Sequence, residues 1–293
     1  MSAVTPSLGA YARAQVARRV DEFLAVLQPL ADLASHGQNF DAGQVHDLRV
    51  ANRRLREAIR VFRPLAPKRR RRTLDRLKDL MDAAGEVRNC DIAKELCQVE
   101  LPDQRAAALA DLQRQTGRLA APKFEERLRR VAILNPDRTP VRPSAAGLLA
   151  TLSREYFELG RAVVAKPTGP RLHELRLATK HLRYAIEVFA ELAPPLAKRQ
   201  IKAMKRLQDL LGDLNDCRTT RALLGKRAAP EQKSLLQERF AQLRDEFLAH
   251  WKTEFDAEGC ESAWLAAMEA GFATARGTAA RSGTAARRRK PSS

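Results

Sequence analysis

Apolar residues recur along this chain at three- and four-residue intervals, and no stretch shows the alternation of a half-buried strand. Val16, Val20, Phe23, Leu27 and Leu30 share one face of a helix expected from Tyr11 to about Leu33. His36, Gly37, Gln38 and Asn39 read as a turn. Asp41 follows as an N-cap, with Gln44 three residues on as in a capping box. The next helix has Leu48, Ala51, Leu55, Ala58, Ile59 and Phe62 on one stripe, and Pro64 and Pro67 end it. A third helix carries Leu74, Leu77, Met81 and Ala84 on one face and is expected to stop near Ala84. Helices over about 103–120 and 123–133 come next. Residues 134–143 hold three prolines and no periodicity, which marks a linker. Further helices are expected over about 145–164, 172–190 and 196–224, and from Glu231 towards Phe255. A short apolar segment around Trp264 and Met268 ends the pattern.

The pattern contains a repeat, which reshapes the domain reading. Val45–Phe62 (VHDLRVANRRLREAIRVF) returns without a gap at an offset of 127 residues (45 to 172), as Leu172–Phe189 (LHELRLATKHLRYAIEVF). His46 maps to His173, Arg49 to Arg176, Arg53 to Lys180 and Arg56 to Arg183. Thr168 stands where the first copy has Asp41, so the helix start is expected to repeat too. The register continues through Leu80, Asp82, Gly85, Asn89 and Cys90, which map to Leu207, Asp209, Gly212, Asp216 and Cys217. Arg71 maps to Lys198 and Lys78 to Lys205. The expected organisation is a flexible N-terminus over 1–8, a first helical half over 9–133, the linker over 134–143, a second half over 144–272 and a disordered basic tail over 273–293. The fold class is all-α: two antiparallel bundles related by an approximate internal twofold.

Composition adds a partner class. Among 293 residues the formal net charge is +18. Six cations lie in the last twenty residues (Arg276, Arg281, Arg287, Arg288, Arg289 and Lys290), so 18 − 6 leaves +12 on the body. A basic body implies a polyanion: nucleic acid, an anionic membrane or a phosphate polymer. No run approaches the ~18–20 apolar residues of a membrane span. Cys90, Cys97, Cys217 and Cys260 form no Cys-x-x-Cys pair, so no zinc or redox motif is implied. The expectation is a soluble, cytoplasmic protein. Cys90 and Cys217 read as small core residues, and Asp82, Asp209 and Asp216 as caps or ion-pair partners. The runs Lys68–Arg72 and Arg287–Lys290 are commonplace basic patches.

The helical wheel gives the cations a purpose. At ~100° per residue, His46, Arg49, Arg53, Arg56 and Arg60 occupy an arc of roughly 80° beside the apolar stripe rather than opposite it. The second copy sets His173, Arg176, Lys180 and Arg183 beside Leu175, Leu182 and Phe189, with Glu187 at the register of Arg60. Like charges at these spacings repel by a few tenths of a kcal/mol per pair. A repeated row that carries this cost points to an anion between the helices, for which guanidinium offers paired donors and ammonium a point charge. Lys78, Lys205, Arg71 and Lys198 on the following helices are candidate walls. Each histidine reads either as a packing residue near a helix start or as a phosphate donor. Metal ligation is disfavoured because the arginines repel a cation and no carboxylate stands at ligand spacing.

Two copies of H-x-L-R-hydrophobic-x-x-[RK]-x-L-R-x-A are present. Leucine-rich helices follow them, expected to end in Gly85-Glu86-Val87-Arg88-Asn89 and Gly212-Asp213-Leu214-Asn215-Asp216. Over roughly 8–272 the chain resembles the CHAD family, the conserved histidine α-helical domain. The resemblance implies two four-helix bundles around a basic groove or pore, non-enzymatic binding of inorganic polyphosphate, and association with polyphosphate granules in bacteria. It carries the family's histidines onto His46 and His173. Its basic wall falls on Arg49, Arg53, Arg56, Arg176, Lys180 and Arg183, with Lys78 and Lys205. The E-x-E-x-K motif of the triphosphate tunnel domain found in many relatives does not occur in this sequence, so that domain's activity is not implied. Arg54 stands opposite His181 in the alignment of the copies, so the halves are not identical. The alternative partner is nucleic acid, bound weakly through the basic surface and tail. Against it stand the scarcity of aromatics, 5% of the chain, and the lack of a recognisable reading helix. A phosphohydrolase using the histidines lacks a carboxylate cluster to hold its metal. No cofactor is implied.

Overall fold

In the computed structural model, which describes residues 6–66 and 71–273, ten α-helices pack into bundles. The expected tail over 273–293, apart from Ala273, lies outside the described residues, as do Pro67 and Lys68–Arg70 of the five-cation run.

The first half contributes α1 (Leu8–Ser35), α2 (Ala42–Val61), α3 (Arg71–Cys97), α4 (Pro102–Ala120) and α5 (Pro122–Val131). The second contributes α6 (Val141–Ala165), α7 (Gly169–Val188), α8 (Pro194–Leu224), α9 (Pro230–Glu254) and α10 (Cys260–Phe272). Each half has five helices: the pattern placed five in the first half, α5 included, and four in the second, where the short apolar segment forms α10, so neither half is the plain four-helix bundle that the resemblance implied. The copied helices start differently. Asp41 Oδ1 accepts from the Gln44 amide at 2.8 Å and Gln44 Oε1 from the Asp41 amide at 2.9 Å, a complete capping box. Thr168 occupies the N-cap of α7, but its side chain makes no capping bond; Pro170 instead opens the helix, where a missing N–H costs nothing.

Two expectations about boundaries are corrected. The third helix does not stop near Ala84. It runs through Gly85 to Cys97, because Ala83, Ala84, Val87, Ile92 and Ala93 keep a buried face along it. A glycine costs a helix ~1 kcal/mol, which this packing offsets. The linker is also shorter than expected, since α6 opens at Val141. Asp137 and Thr139 instead seat the start of α1: the Leu8 amide donates to Thr139 O at 2.8 Å and the Gly9 amide to Asp137 O at 3.0 Å. A Cβ on residue 9 would stand 2.5 Å from the Asp137 nitrogen, so glycine is required there. Ser7, read as part of a loose lead-in, caps α1 by accepting from the Ala10 amide at 3.3 Å.

Burial follows the apolar stripes. Leu48, Leu55, Ala58, Ile59 and Phe62 of the first copy and Leu175, Leu182 and Phe189 of the second are buried, and they join one continuous core with α1, α3, α6, α8 and α9. Cys90 and Cys217 are buried, as expected of small core residues. The halves share an aromatic seam. The Tyr11 hydroxyl donates to Val188 O at 2.7 Å, its ring stacks on Phe189 at 5.9 Å, and Phe62 meets Phe189 edge-on at 5.7 Å. Within the halves α2 packs on α3 and α7 on α8. Between them α2 packs on α7 and α3 on α8. These four helices surround the place where the copied motifs meet. No helix among the described residues is long and apolar enough to cross a membrane.

Candidate functional site

The crossing of α2 and α7 is tied by three polar contacts. Arg53 Nη1 donates to the Tyr184 hydroxyl at 3.3 Å. His181 Nδ1 meets Glu57 Oε2 at 2.7 Å, and Arg54 Nε lies 3.6 Å from Glu187 Oε2. The pairs run in opposite senses along the two helices: 54 goes with 187, 57 with 181. Each contact includes a position where the copies differ: Glu57 against Tyr184, Arg54 against His181, Arg60 against Glu187. Departure from the repeat is what lets two like helices pair.

Beside this crossing the two cationic rows come together. Arg49 and Arg53 of α2 and Arg176 and Lys180 of α7 form one cluster, joined by Arg88 of α3 and Asp216 of α8. Arg49 lies beside Gly85 of α3, where a Cβ would make ordinary van der Waals contact with its guanidinium at 3.4 Å. Arg49, Arg176 and Lys180 are largely shielded from water, and their acidity records it. Burial, then the neighbouring Arg53, Arg176 and Arg88 charges, push the Arg49 guanidinium down to about 10. Burial and then Arg176, Arg53 and Arg49 push the Lys180 ammonium down to about 6. Arg176 is lowered chiefly by burial as well. Burial raises the Asp216 carboxyl, and Arg176 pulls it back.

Arg88 at the edge of the cluster pairs with Glu95 at 2.8 Å, and arginines elsewhere find carboxylates too, as in Arg105 with Asp91 at 2.8 Å and Arg129 with Asp21 at 2.7 Å. Among the described residues Arg49, Arg53, Arg176 and Lys180 form no such pair, and Arg176 Nε is buried without a hydrogen-bond partner. Shielding a cation from water without a counter-charge is costly, so these half-buried basic groups together form a site that an anion would relieve.

The other sequence candidates divide. His173 is half-buried, with Nδ1 3.0 Å from Asn215 Oδ1. Since that oxygen only accepts, Nδ1 carries the proton. His46 is exposed at the start of α2. Arg56 is half-buried and near Lys78, whose ammonium pairs with Asp82 at 2.6 Å. Arg71, Lys198 and Lys205 are exposed on α3 and α8. Two residues are drawn away from the cluster. Arg183 Nη1 donates to Glu187 at 2.6 Å, and its guanidinium lies 4.3 Å from the Tyr184 ring centre. Arg60 lines a separate recess of about 460 Å³ with Leu148, Leu152 and His181. The sequence reading missed Arg88, Tyr184 and Asn215 as members of the site. It placed Asp216 only among caps and ion pairs. Among the described residues no group of three or more His, Cys, Asp or Glu side chains is arranged to hold a metal ion.

A model of the CHAD domain matches residues 10–225. The chain belongs to the CHAD family. That family is associated with polyphosphate binding. The CHAD domain from the plant Ricinus communis is 20% identical, with 93% of each chain covered and a TM-score of 0.58. PptA from Streptomyces chartreusis is 15% identical, over 90% of this chain and 100% of the other, with a TM-score of 0.52. At these identities the two structures share the CHAD fold with this chain. No curated protein sequence matches it.

Proposed function

We propose that this CHAD protein binds inorganic polyphosphate without turning it over. The chain would lie in a basic groove between the halves, where α2 and α7 face one another about an approximate twofold. One observation carries the reading: Arg49, Arg53, Arg176 and Lys180, supplied by both copies of one motif, come together half-buried with no ion-pair partner among the described residues. A repeating anion suits rows of cations ~5–6 Å apart, and guanidinium groups bind phosphate oxygens in pairs. His46, His173, Arg56, Arg71, Lys78, Lys198 and Lys205 extend the basic wall outward. Arg183, engaged by Glu187, and Arg60, in its own recess, stand outside the contact set. Such binding directs the protein to polyphosphate granules.

Nucleic acid finds less support. Among the described residues no Trp, Tyr or Phe is exposed, and Trp251, Tyr11, Tyr156 and Tyr184 are buried. Single strands rely on aromatic platforms worth ~1–3 kcal/mol per base, and none is available.

The deciding experiment measures retention on long-chain polyphosphate against sulfate and DNA competitors over a range of salt. Binding that falls steeply with salt and resists sulfate is expected. The double variant Arg53→Glu, Lys180→Glu should lose binding while circular dichroism shows helicity intact. Equal retention by that variant excludes this groove, and stronger competition by DNA excludes this ligand.

A further inference from the structure

The two copied helices end differently. Val61 and Phe62 recur as Val188 and Phe189, but Arg60, Arg63 and Pro64 stand where the second copy has Glu187, Ala190 and Glu191. Both acids of the second copy are engaged. Glu187 pairs with Arg183 at 2.6 Å and with Arg54 at 3.6 Å, while Glu191 pairs with Arg18 and accepts from Gln15 Nε2 at 3.2 Å. The two contacts of Glu191 close the join between α1 and the end of α7. Residues 60–66, at the corresponding end of α2, hold no acid. Arg60 and Arg63 are exposed there, and among the described residues neither forms a salt bridge.

This join stays open as the recess of about 460 Å³, within the ~300–1,000 Å³ of ordinary ligand clefts. Val61, Pro64, Leu148 and Leu152 give it apolar walls, and His181, whose Nδ1 meets Glu57 at 2.7 Å, adds a polar group. A second recess of about 290 Å³ shares Arg60, Leu152 and His181 with it and continues along α6 and α7. Glu155, one turn beyond Leu152, and Glu174, two turns before His181, mark its far end. Leu177 also lines it, one of three large apolar side chains that stand exposed among the described residues. The double recess is therefore basic at the α2 end, apolar along its length and acidic at the far end.

We propose that this double recess binds a small organic acid with an apolar body and a single anionic head. The head lies between Arg60 and Arg63, whose guanidinium donors match a carboxylate. The body covers Leu148, Leu152 and Leu177, which removes apolar surface from water. Glu155 and Glu174 repel a second negative charge at the far end, so the site rejects diacids and polyanions. It is distinct from the cationic cluster, since none of Arg49, Arg53, Arg176 and Lys180 lines either recess.

Calorimetry of the full chain with octanoate, octanedioate and octylamine at equal ionic strength tests this. Octanoate should bind saturably, and the diacid and the amine more weakly. Arg60→Gln combined with Arg63→Gln should weaken octanoate about tenfold, the loss of a charge-assisted hydrogen bond, and leave retention on polyphosphate unchanged. Glu155→Gln combined with Glu174→Gln should bring octanedioate towards the affinity of octanoate. The octanoate measurements do not depend on whether polyphosphate binds. No saturable octanoate binding, or octanedioate or octylamine binding as well as octanoate, overturns the proposal. So does octanoate binding that the arginine variant leaves unchanged, or discrimination against octanedioate that the glutamate variant leaves intact. Loss of polyphosphate retention in the arginine variant would return both arginines to the polyphosphate site and overturn the assignment as well.

Discussion

Arg53 and Tyr184 hold one hydrogen bond at 3.3 Å across 131 residues of chain, and that bond holds a half-buried guanidinium at the crossing of the two copied helices. Its acceptor exists only in the second copy, because the first has Glu57 at that register. Tyr184→Phe keeps the ring under Arg183 and removes the acceptor. A hydrogen bond to a charged group contributes ~1.5–3 kcal/mol, and water reaching half-buried Arg53 recovers part of it. Urea unfolding should show a loss of about 1 kcal/mol. A variant as stable as the wild type would show that the bond contributes nothing.

Much of this architecture was legible in the local pattern. Apolar periodicity located nine of the ten helices and marked the tenth only as a short apolar segment around Trp264 and Met268, and the offset between His46 and His173 located both copies of the motif. What escaped was non-local. Nothing near Tyr184 signals that Arg53 lies against it, since a tyrosine between Arg183 and Ala185 looks like ordinary packing. Gly85 reads as a stop, yet α3 runs through it because Ala84 and Val87 are buried on either side of it. Arg60 belongs to the cationic arc on a wheel, yet the approach of α6 gives it a different recess. A wheel describes one helix, and each of these residues is defined by a second.

The two helix starts test the repeat at its weakest point. Asp41 accepts a backbone bond at 2.8 Å within a capping box, whereas the side chain of Thr168 caps nothing. Asp41→Ala should cost ~1 kcal/mol, the usual loss for a working N-cap. Thr168→Ala should be close to neutral. Equal losses in chemical denaturation would contradict the difference between the starts.

Trp251 is fully buried in an aromatic nest with Tyr156, Phe157 and Phe255, at ring separations of 5.5, 6.3 and 5.1 Å. Gly160 of α6 forms its floor, and a Cβ there would collide with the indole. The collision involves a rigid ring with no vacant neighbour to move into. Gly160→Ala gains helix propensity of ~1 kcal/mol, but overpacking at such a site costs ~1–3 kcal/mol. A net loss of stability is expected, with polyphosphate affinity unchanged because no residue of the nest belongs to the cationic cluster. A stabilised variant would show that the nest can yield.

Lys180 makes the site sensitive to pH, and the sign follows from its environment. Its ammonium is pushed from 10.5 down to about 6 by burial and by Arg176, Arg53 and Arg49. Between those values the unfolded chain holds a proton that the folded chain does not. Stability therefore rises with pH through that window, and the contribution is lost as pH falls towards 6. A bound polyanion reverses the balance, because phosphate oxygens favour the charged ammonium. Binding near pH 7 should take up a proton, and calorimetry in buffers of different ionisation enthalpy should detect it. Lys180→Met removes the buried amine, so the proton uptake should vanish and polyphosphate affinity should fall. Ligand-free stability should rise by ~1–2 kcal/mol, as when buried charges give way to apolar groups. Uptake that persists in Lys180→Met would assign the titration to another group and remove Lys180 from the ligand's path.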